Sequence, residues 1–279
     1  MTLRIMKLSP SSLYVTPNKI KLSIIPLLFI TAATTTVKIR AMSTTPTTTT
    51  TTTKTHKPAA LIFLHGLGDT PAGWSSLQHQ LPSIEPSLQN IKYVFPPAPT
   101  IPISINGGMK MPGWFDLDYW PIGIEGKDDD IGLSKAVEVV EQCVEDIEKK
   151  EGITRDRIVI GGFSQGGAVA LRAAYHGTSG RRHEEEGTYA ACISLSGWVT
   201  FDNIPSEQKE IVKHIPLFLG HGSFDDKVLF EQQKHAEITL TGEGVNDIES
   251  RSYDMGHSSH PQEMVDMAKF LKKILFDET

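Results

Sequence analysis

The sequence predicts an α/β fold, a mostly parallel central sheet with helices on both faces. Three observations carry this. Short apolar runs bounded by Gly and Pro recur along the chain, stretches with helical apolar spacing lie between them, and the two patterns alternate. The chain has 279 residues, enough for one large domain or two small ones. A single α/β body of about 220 residues buries a substantial core.

The first run is Ala60-Leu61-Ile62-Phe63-Leu64, ending at His65-Gly66. Ile91 to Phe95 follows, closed by Pro96-Pro97, and then come Arg157 to Ile160, Ala190 to Leu195 and Pro216 to Leu219. Continuous apolar character over so few residues suits strands buried on both faces of a parallel sheet. Ile248 to Tyr253 is a further strand-like segment.

The clearest helix is Leu133 to Ile147. Leu133, Ala136, Val137, Val140, Cys143, Val144 and Ile147 repeat at three- and four-residue spacing, with charges opposite. Asp128, Asp129 and Asp130 precede it and Lys149-Lys150 follow, both favourable to the helix dipole. Ala168 to Ala174 and Glu263 to Phe276 are the other helical segments. There is no internal repeat.

Two segments break the alternation. Ala98 to Gly126 is rich in Pro and Gly, holds Trp114, Phe115, Tyr119 and Trp120, and is too long for an ordinary connection. It either shapes a substrate groove or packs its aromatics onto the domain. Thr178 to Thr188, with Arg181-Arg182-His183-Glu184-Glu185-Glu186, reads as a solvated loop.

Residues 1–57 read as a separate disordered or targeting tail, and residues 58–279 as the folded domain. The tail has eight basic residues and no acidic one, is rich in Ser and Thr, and ends in the run Thr47 to Thr53. Its apolar stretch Ile24 to Ile30 follows Lys19 and Lys21 and is too short to span a membrane. It matches the core of a signal peptide, part of an organellar transit peptide, or a leader bypassed by starting at Met42.

The net charge is −6, but after residue 57 there are 19 basic and 33 acidic residues, a net of −14. An acidic body argues against a nucleic-acid or anionic-membrane partner. Two cysteines, Cys143 and Cys192, give no disulfide framework and read as small buried apolar residues.

The strongest chemical signal is Gly162-Phe163-Ser164-Gln165-Gly166. A strand runs into it and an Ala-rich helix runs out, the arrangement that projects a nucleophilic serine from a sheet. Such a serine needs a base, held in turn by an acid. His257 follows the last strand-like segment, and Asp225-Asp226 follow His221-Gly222 at a strand end, so the chain order Ser, Asp, His is available. His65 and His221 read as residues that order loops. His257 and His260 share an H-x-x-H spacing, but no further ligand cluster supports a metal. No H-E-x-x-H, P-loop or G-x-G-x-x-G occurs. The backbone N–H groups of Gln165, after the serine, and of Leu67, in the Gly-rich turn after the first strand, are placed to receive a developing oxyanion.

Together, Phe63-Leu64-His65-Gly66-Leu67-Gly68-Asp69, Met111-Pro112-Gly113-Trp114-Phe115-Asp116, Gly161-Gly162-Phe163-Ser164-Gln165-Gly166-Gly167, Leu195-Ser196-Gly197-Trp198 and Gly256-His257-Ser258 resemble the acyl-protein thioesterase family of lysophospholipases and carboxylesterases. The resemblance spans roughly residues 58 to 276. It implies an α/β-hydrolase fold, no cofactor, and hydrolysis of thioesters on S-acylated proteins, of lysophospholipids or of small esters. It implies Ser164 as nucleophile, His257 as base, Asp225 as acid, Leu67 and Gln165 at the oxyanion hole, and Met111, Trp114, Phe115 and Trp198 as substrate-binding residues. A cytoplasmic location is expected, with an organelle or the secretory pathway as the alternative through the tail. Many members have proline where Asp226 stands, and the Thr178 to Thr188 insert is longer than the family pattern. The rival readings are a general carboxylesterase or lysophospholipase and, in a different class, a non-catalytic ligand receptor on the same fold. The presence of all three triad residues favours the enzyme.

Overall fold

A computed structural model describes residues 57–177 and 187–277; the expected tail before Lys57 and most of the Thr178 to Thr188 insert lie outside them. In chain order the main elements are β1 (Ala60–Leu64), α1 (Pro71–Trp74), α2 (Leu77–Ile84), β2 (Lys92–Val94), β3 (Thr100–Ile103), β4 (Met109–Pro112), α3 (Asp130–Glu151) and β5 (Ile158–Phe163). They continue with α4 (Gln165–Tyr175), β6 (Ala191–Leu195), α5 (Lys209–Val212), β7 (Leu217–Gly222), α6 (Glu231–Gly242), β8 (Ile248–Tyr253) and α7 (Pro261–Phe276).

Six strands form one sheet in the order β2-β1-β5-β6-β7-β8, and every neighbouring pair is parallel. Alternate residues of β1 show why its run is continuously apolar. Ala60, Ile62 and Leu64 face a core shared with Val137 and Val140 of α3 and Val169 of α4. Leu61 and Phe63 face a second core shared with Leu77 and Leu81 of α2 and Phe270 and Leu271 of α7. Each such side chain removed from water contributes about 1.5–3 kcal/mol. The strand order reverses at β1, and the β5 end emerges between β1 and β6. Crevices at the carboxyl ends of strands beside such a reversal are where open α/β sheets bind ligands.

The predicted helix at Leu133 to Ile147 extends at both ends. Asp129 is its N-cap and accepts from the Gly132 N–H, while Gly152 ends it in the left-handed region at φ 66°. The Arg157 to Ile160 strand continues through Gly161 and Gly162 to Phe163. The long Ala98 to Gly126 segment contains an antiparallel hairpin, β3–β4, with Thr100 opposite Pro112 and Ile103 opposite Met109. No described helix is long and apolar enough to cross a membrane.

Candidate active site

β5 ends at Phe163 and α4 begins at Gln165, which leaves Ser164 alone on the turn between them. Its backbone stands at φ 56° and ψ −120°, a conformation that costs a non-glycine residue on the order of 1–3 kcal/mol. The turn is held on both sides. The Ser164 N–H donates to Leu195 O at 2.8 Å, and the Ala168 N–H donates to Ser164 O at 3.0 Å. The flanking glycines are required by close approach. A Cβ on Gly162 would lie 2.3 Å from the Gly166 carbonyl carbon, and one on Gly166 would lie 2.3 Å from Leu64 O.

His257 sits in the loop between β8 and α7. Its Nε2 is 2.9 Å from Ser164 Oγ, and its Nδ1 is 2.7 Å from Asp225 Oδ2. Asp225 comes from the loop after β7, and its other oxygen accepts from the N–H groups of Lys227 and Val228, both at 2.9 Å. Burial is the largest influence on this carboxyl and opposes its ionisation. The His257 hydrogen bond and charge, with those two N–H groups, outweigh it and hold the carboxyl below its ordinary range. With Asp225 ionised, Nδ1 carries the proton and Nε2 is free to accept from the serine hydroxyl. Asp226 points the other way. Its side chain is 75% exposed and faces Lys227 Nζ at 3.4 Å.

His221 and His65 order loops. His221 is buried with Nε2 2.8 Å from Val228 O, and burial pushes its imidazole below the usual range. His65 Nε2 accepts from the Ala98 N–H at 3.2 Å. His260 caps α7, its Nδ1 accepting from the Gln262 N–H at 3.1 Å.

Leu67 lies in the loop after β1, where Gly68 adopts φ 77° and its N–H donates to Pro112 O at 2.7 Å. Among the described residues, neither the Leu67 nor the Gln165 backbone N–H has a hydrogen-bond partner. Both are therefore open donors beside Ser164. The Gln165 side chain is fully engaged, its Oε1 accepting from the Trp114 N–H at 2.8 Å and its Nε2 donating to Phe115 O at 2.7 Å.

A cleft of about 540 Å³ opens over Ser164 and His257, lined among others by Leu67, Trp74, Trp120, Phe163 and Lys227. The residues expected to bind substrate lie outside this lining. Trp114 and Phe115 are buried in the core, and Trp198 is buried too, facing a separate cavity of about 320 Å³. Met111 is half-buried on β4 beside Gly68 and does not line the cleft. The physical reason is that these aromatics have internal partners. The Trp114 indole donates to His65 O at 2.7 Å, and the Trp198 indole donates to Asp128 at 3.1 Å while packing edge-on to Phe115. Trp114 thus buttresses the Leu67 loop from behind. The cleft aromatics missed from sequence, Trp74 and Phe163, pack with tilted rings and centroids 5.1 Å apart, and Phe163 lies 4.8 Å from the His257 ring, again tilted. Trp74 ends the four-residue α1, which is too short to carry an apolar stripe that would flag it. Phe163, between Gly162 and Ser164, was visible only as part of the elbow.

Comparison with known proteins places the chain in a family. Residues 46–275 match the model of the phospholipase/carboxylesterase family. The chain is 33% identical over 223 residues to acyl-protein thioesterase 1 of Candida albicans, covering 78% of this chain and 92% of that one. Acyl-protein thioesterase 1 of Cryptococcus neoformans is 36% identical over 232 residues, with the same coverage. Among solved structures, Arabidopsis thaliana SOBER1 superposes with a TM-score of 0.68 at 29% identity, covering 78% of this chain and 100% of that one. Zea mays acyl-protein thioesterase 2 superposes with a TM-score of 0.66 at 31% identity, covering 80% and 96%.

Proposed function

The chain belongs to the phospholipase/carboxylesterase family of α/β-hydrolases, and from that premise we propose that it is a serine acyl hydrolase that removes fatty acyl groups from S-acylated proteins. The observation that carries this is the unbroken chain from Ser164 Oγ through His257 to Asp225, at 2.9 and 2.7 Å, at the floor of an open cleft. His257 takes the proton as Ser164 Oγ attacks the thioester or ester carbonyl. The oxyanion forms in reach of the Leu67 and Gln165 N–H groups, donors fixed in place before reaction. The thiol or alcohol leaves with the proton from His257. Water then attacks the acyl-enzyme by the same route, freeing the fatty acid and Ser164. No cofactor enters these steps.

The cleft wall favours an acyl chain. Leu67, Trp74, Trp120 and Phe163 present apolar surface directly beside the nucleophile. The test compares Ser164→Ala with the native chain on thioester and oxyester substrates of graded chain length. Removing the nucleophile is expected to lower kcat by about 10³-fold or more while leaving the thermal melt unchanged. Substantial turnover by pure Ser164→Ala protein overturns the mechanism. Turnover of small oxyesters without any on acylated peptides restricts the protein to general carboxylesterase activity.

A further inference from the structure

Glu263 is a buried carboxyl that the mechanism above does not use. It is the third residue of α7 and is wholly inaccessible to solvent. Its Oε2 accepts from the His260 N–H at 3.4 Å, closing a capping box at the helix start. Its Oε1 has no hydrogen-bond partner and lies against β7, so close that a Cβ on Gly220 would sit 2.5 Å from it. Gly220 stands five residues before Asp225, and Glu263 stands six after His257. One carboxyl is therefore wedged between the strand that delivers the acid and the loop that delivers the base.

We propose that Glu263 is a positioning residue for hydrolysis: packed against Gly220 and tied to His260, its carboxyl sets how His257 reaches Ser164 and Asp225. The proposal rests on the hydrolase reading given above.

The wedge holds only as a neutral acid. Among the described residues no ion pair engages Glu263. The titratable groups on the elements around it are occupied elsewhere. Tyr253 of β8 donates to Asp266 at 3.1 Å, and the His260 ring stacks on Tyr253 and caps the helix. At the end of β7, His221 is bonded to Val228 O and Asp225 to His257. Burial pushes the Glu263 carboxyl up to about 8. The unfolded chain ionises the same group near about pH 4.3. Because the folded value is the raised one, the stabilisation is whole below about pH 4.3 and declines as pH rises, until the folded form also ionises near about pH 8. Above that, a bare charge beneath the sheet must find water, and the His257 loop moves off β7 with it.

The experiment measures kcat and KM on a short-chain p-nitrophenyl ester from about pH 6 to 9.5, for the native chain, E263Q and E263A. The rate at which a fluorophosphonate labels Ser164 is followed in parallel. Native kcat is expected to fall above about pH 8, approaching tenfold per pH unit, with KM nearly constant, as a single ionisation requires. E263Q, uncharged at every pH, is expected to retain most of the activity at neutral pH and to lose that alkaline fall. E263A is expected to lower kcat and the labelling rate together by about tenfold, through misplacement of the base rather than loss of binding. If E263A does not fold, the E263Q profile decides alone. An alkaline fall unchanged in E263Q, or a native profile flat to about pH 9.5, overturns the proposal. Neither result touches the hydrolase reading, which fails only if Ser164→Ala retains turnover.

Discussion

Asp225 and Asp226 are chemically identical neighbours with opposite fates. The Asp225 side chain is fully buried, bonded to His257 and to two backbone N–H groups, and held ionised; that of Asp226 is spread into solvent beside Lys227. An uncharged amide at 225 would offer the imidazole a donor where it needs an acceptor, favouring the wrong tautomer. Asp225→Asn is therefore expected to lose on the order of 10⁴ in kcat, and Asp226→Asn less than about twofold, measured on one ester substrate. Equal or reversed losses would move the acid to 226. At this scale, sequence supplied the types and order of the three side chains that the structure brings into hydrogen-bond reach, because Ser, Asp and His follow strand ends in that succession. It did not separate a wall of the cleft from the packing behind it. Trp114 and Phe115 stay open between groove and packing in the sequence because an aromatic in a long loop carries no mark of which way it faces, and Trp198 enters the substrate-binding set only through the family resemblance. The indole partners of Trp114 and Trp198, His65 O and Asp128, are 49 and 70 residues away in sequence.

At the scale of elements, the inner strands of the sheet were the most legible. β1, β5, β6 and β7 are covered on both faces, so their sequences are predominantly apolar without the alternation of a half-exposed strand. The helix α6 was missed because it buries Gln232 and Gln233 alongside only Ala236 and Leu240, which leaves no apolar stripe. The β3–β4 hairpin was masked by Pro102 within one strand and Pro112 in the other, residues tolerated because this ribbon has only edges. The strand-to-helix turn is the element on which the site depends, and its glycines make the dependence testable. A methyl group on Gly162 meets the Gly166 backbone, which cannot rotate away as a side chain could. Gly162→Ala is expected to destabilise by about 1–3 kcal/mol or more. Each kcal/mol lowers Tm by about 2–4 °C in a chain of this size. Fluorophosphonate labelling of Ser164 should fall as well, since β5 and α4 are forced apart at the nucleophile. A Gly162→Ala chain with native Tm and labelling would show that the turn tolerates a side chain there.

Across the whole molecule the charge is segregated. The eight basic residues before Pro58 carry no acidic partner among them, whereas the remainder has a net charge of −14. The groups assigned to the chemistry lie between Leu67 and His257, and the two cores draw on residues from Ala59 onward. We propose that residues 1–57 bear on where the protein resides and not on catalysis, and that the mature protein is cytoplasmic. Their composition matches a targeting or unselected leader, and Met42 offers a start that omits the apolar stretch Ile24 to Ile30. A chain beginning at Thr55 is expected to fold and to keep kcat/KM within about twofold, since a segment that supplies no catalytic contact does not alter transition-state stabilisation. Circular dichroism establishes that the shortened chain is folded, and kcat/KM on a thioester and an oxyester is then compared with the full chain. N-terminal sequencing of the native protein and fractionation of the cells that make it test the location. Recovery of residues 1–41 in a membrane-enclosed fraction overturns the cytoplasmic assignment. A collapse of kcat/KM in the shortened but folded chain carries a different consequence: the basic segment would then be part of the substrate site, recruited by the acidic body at short range.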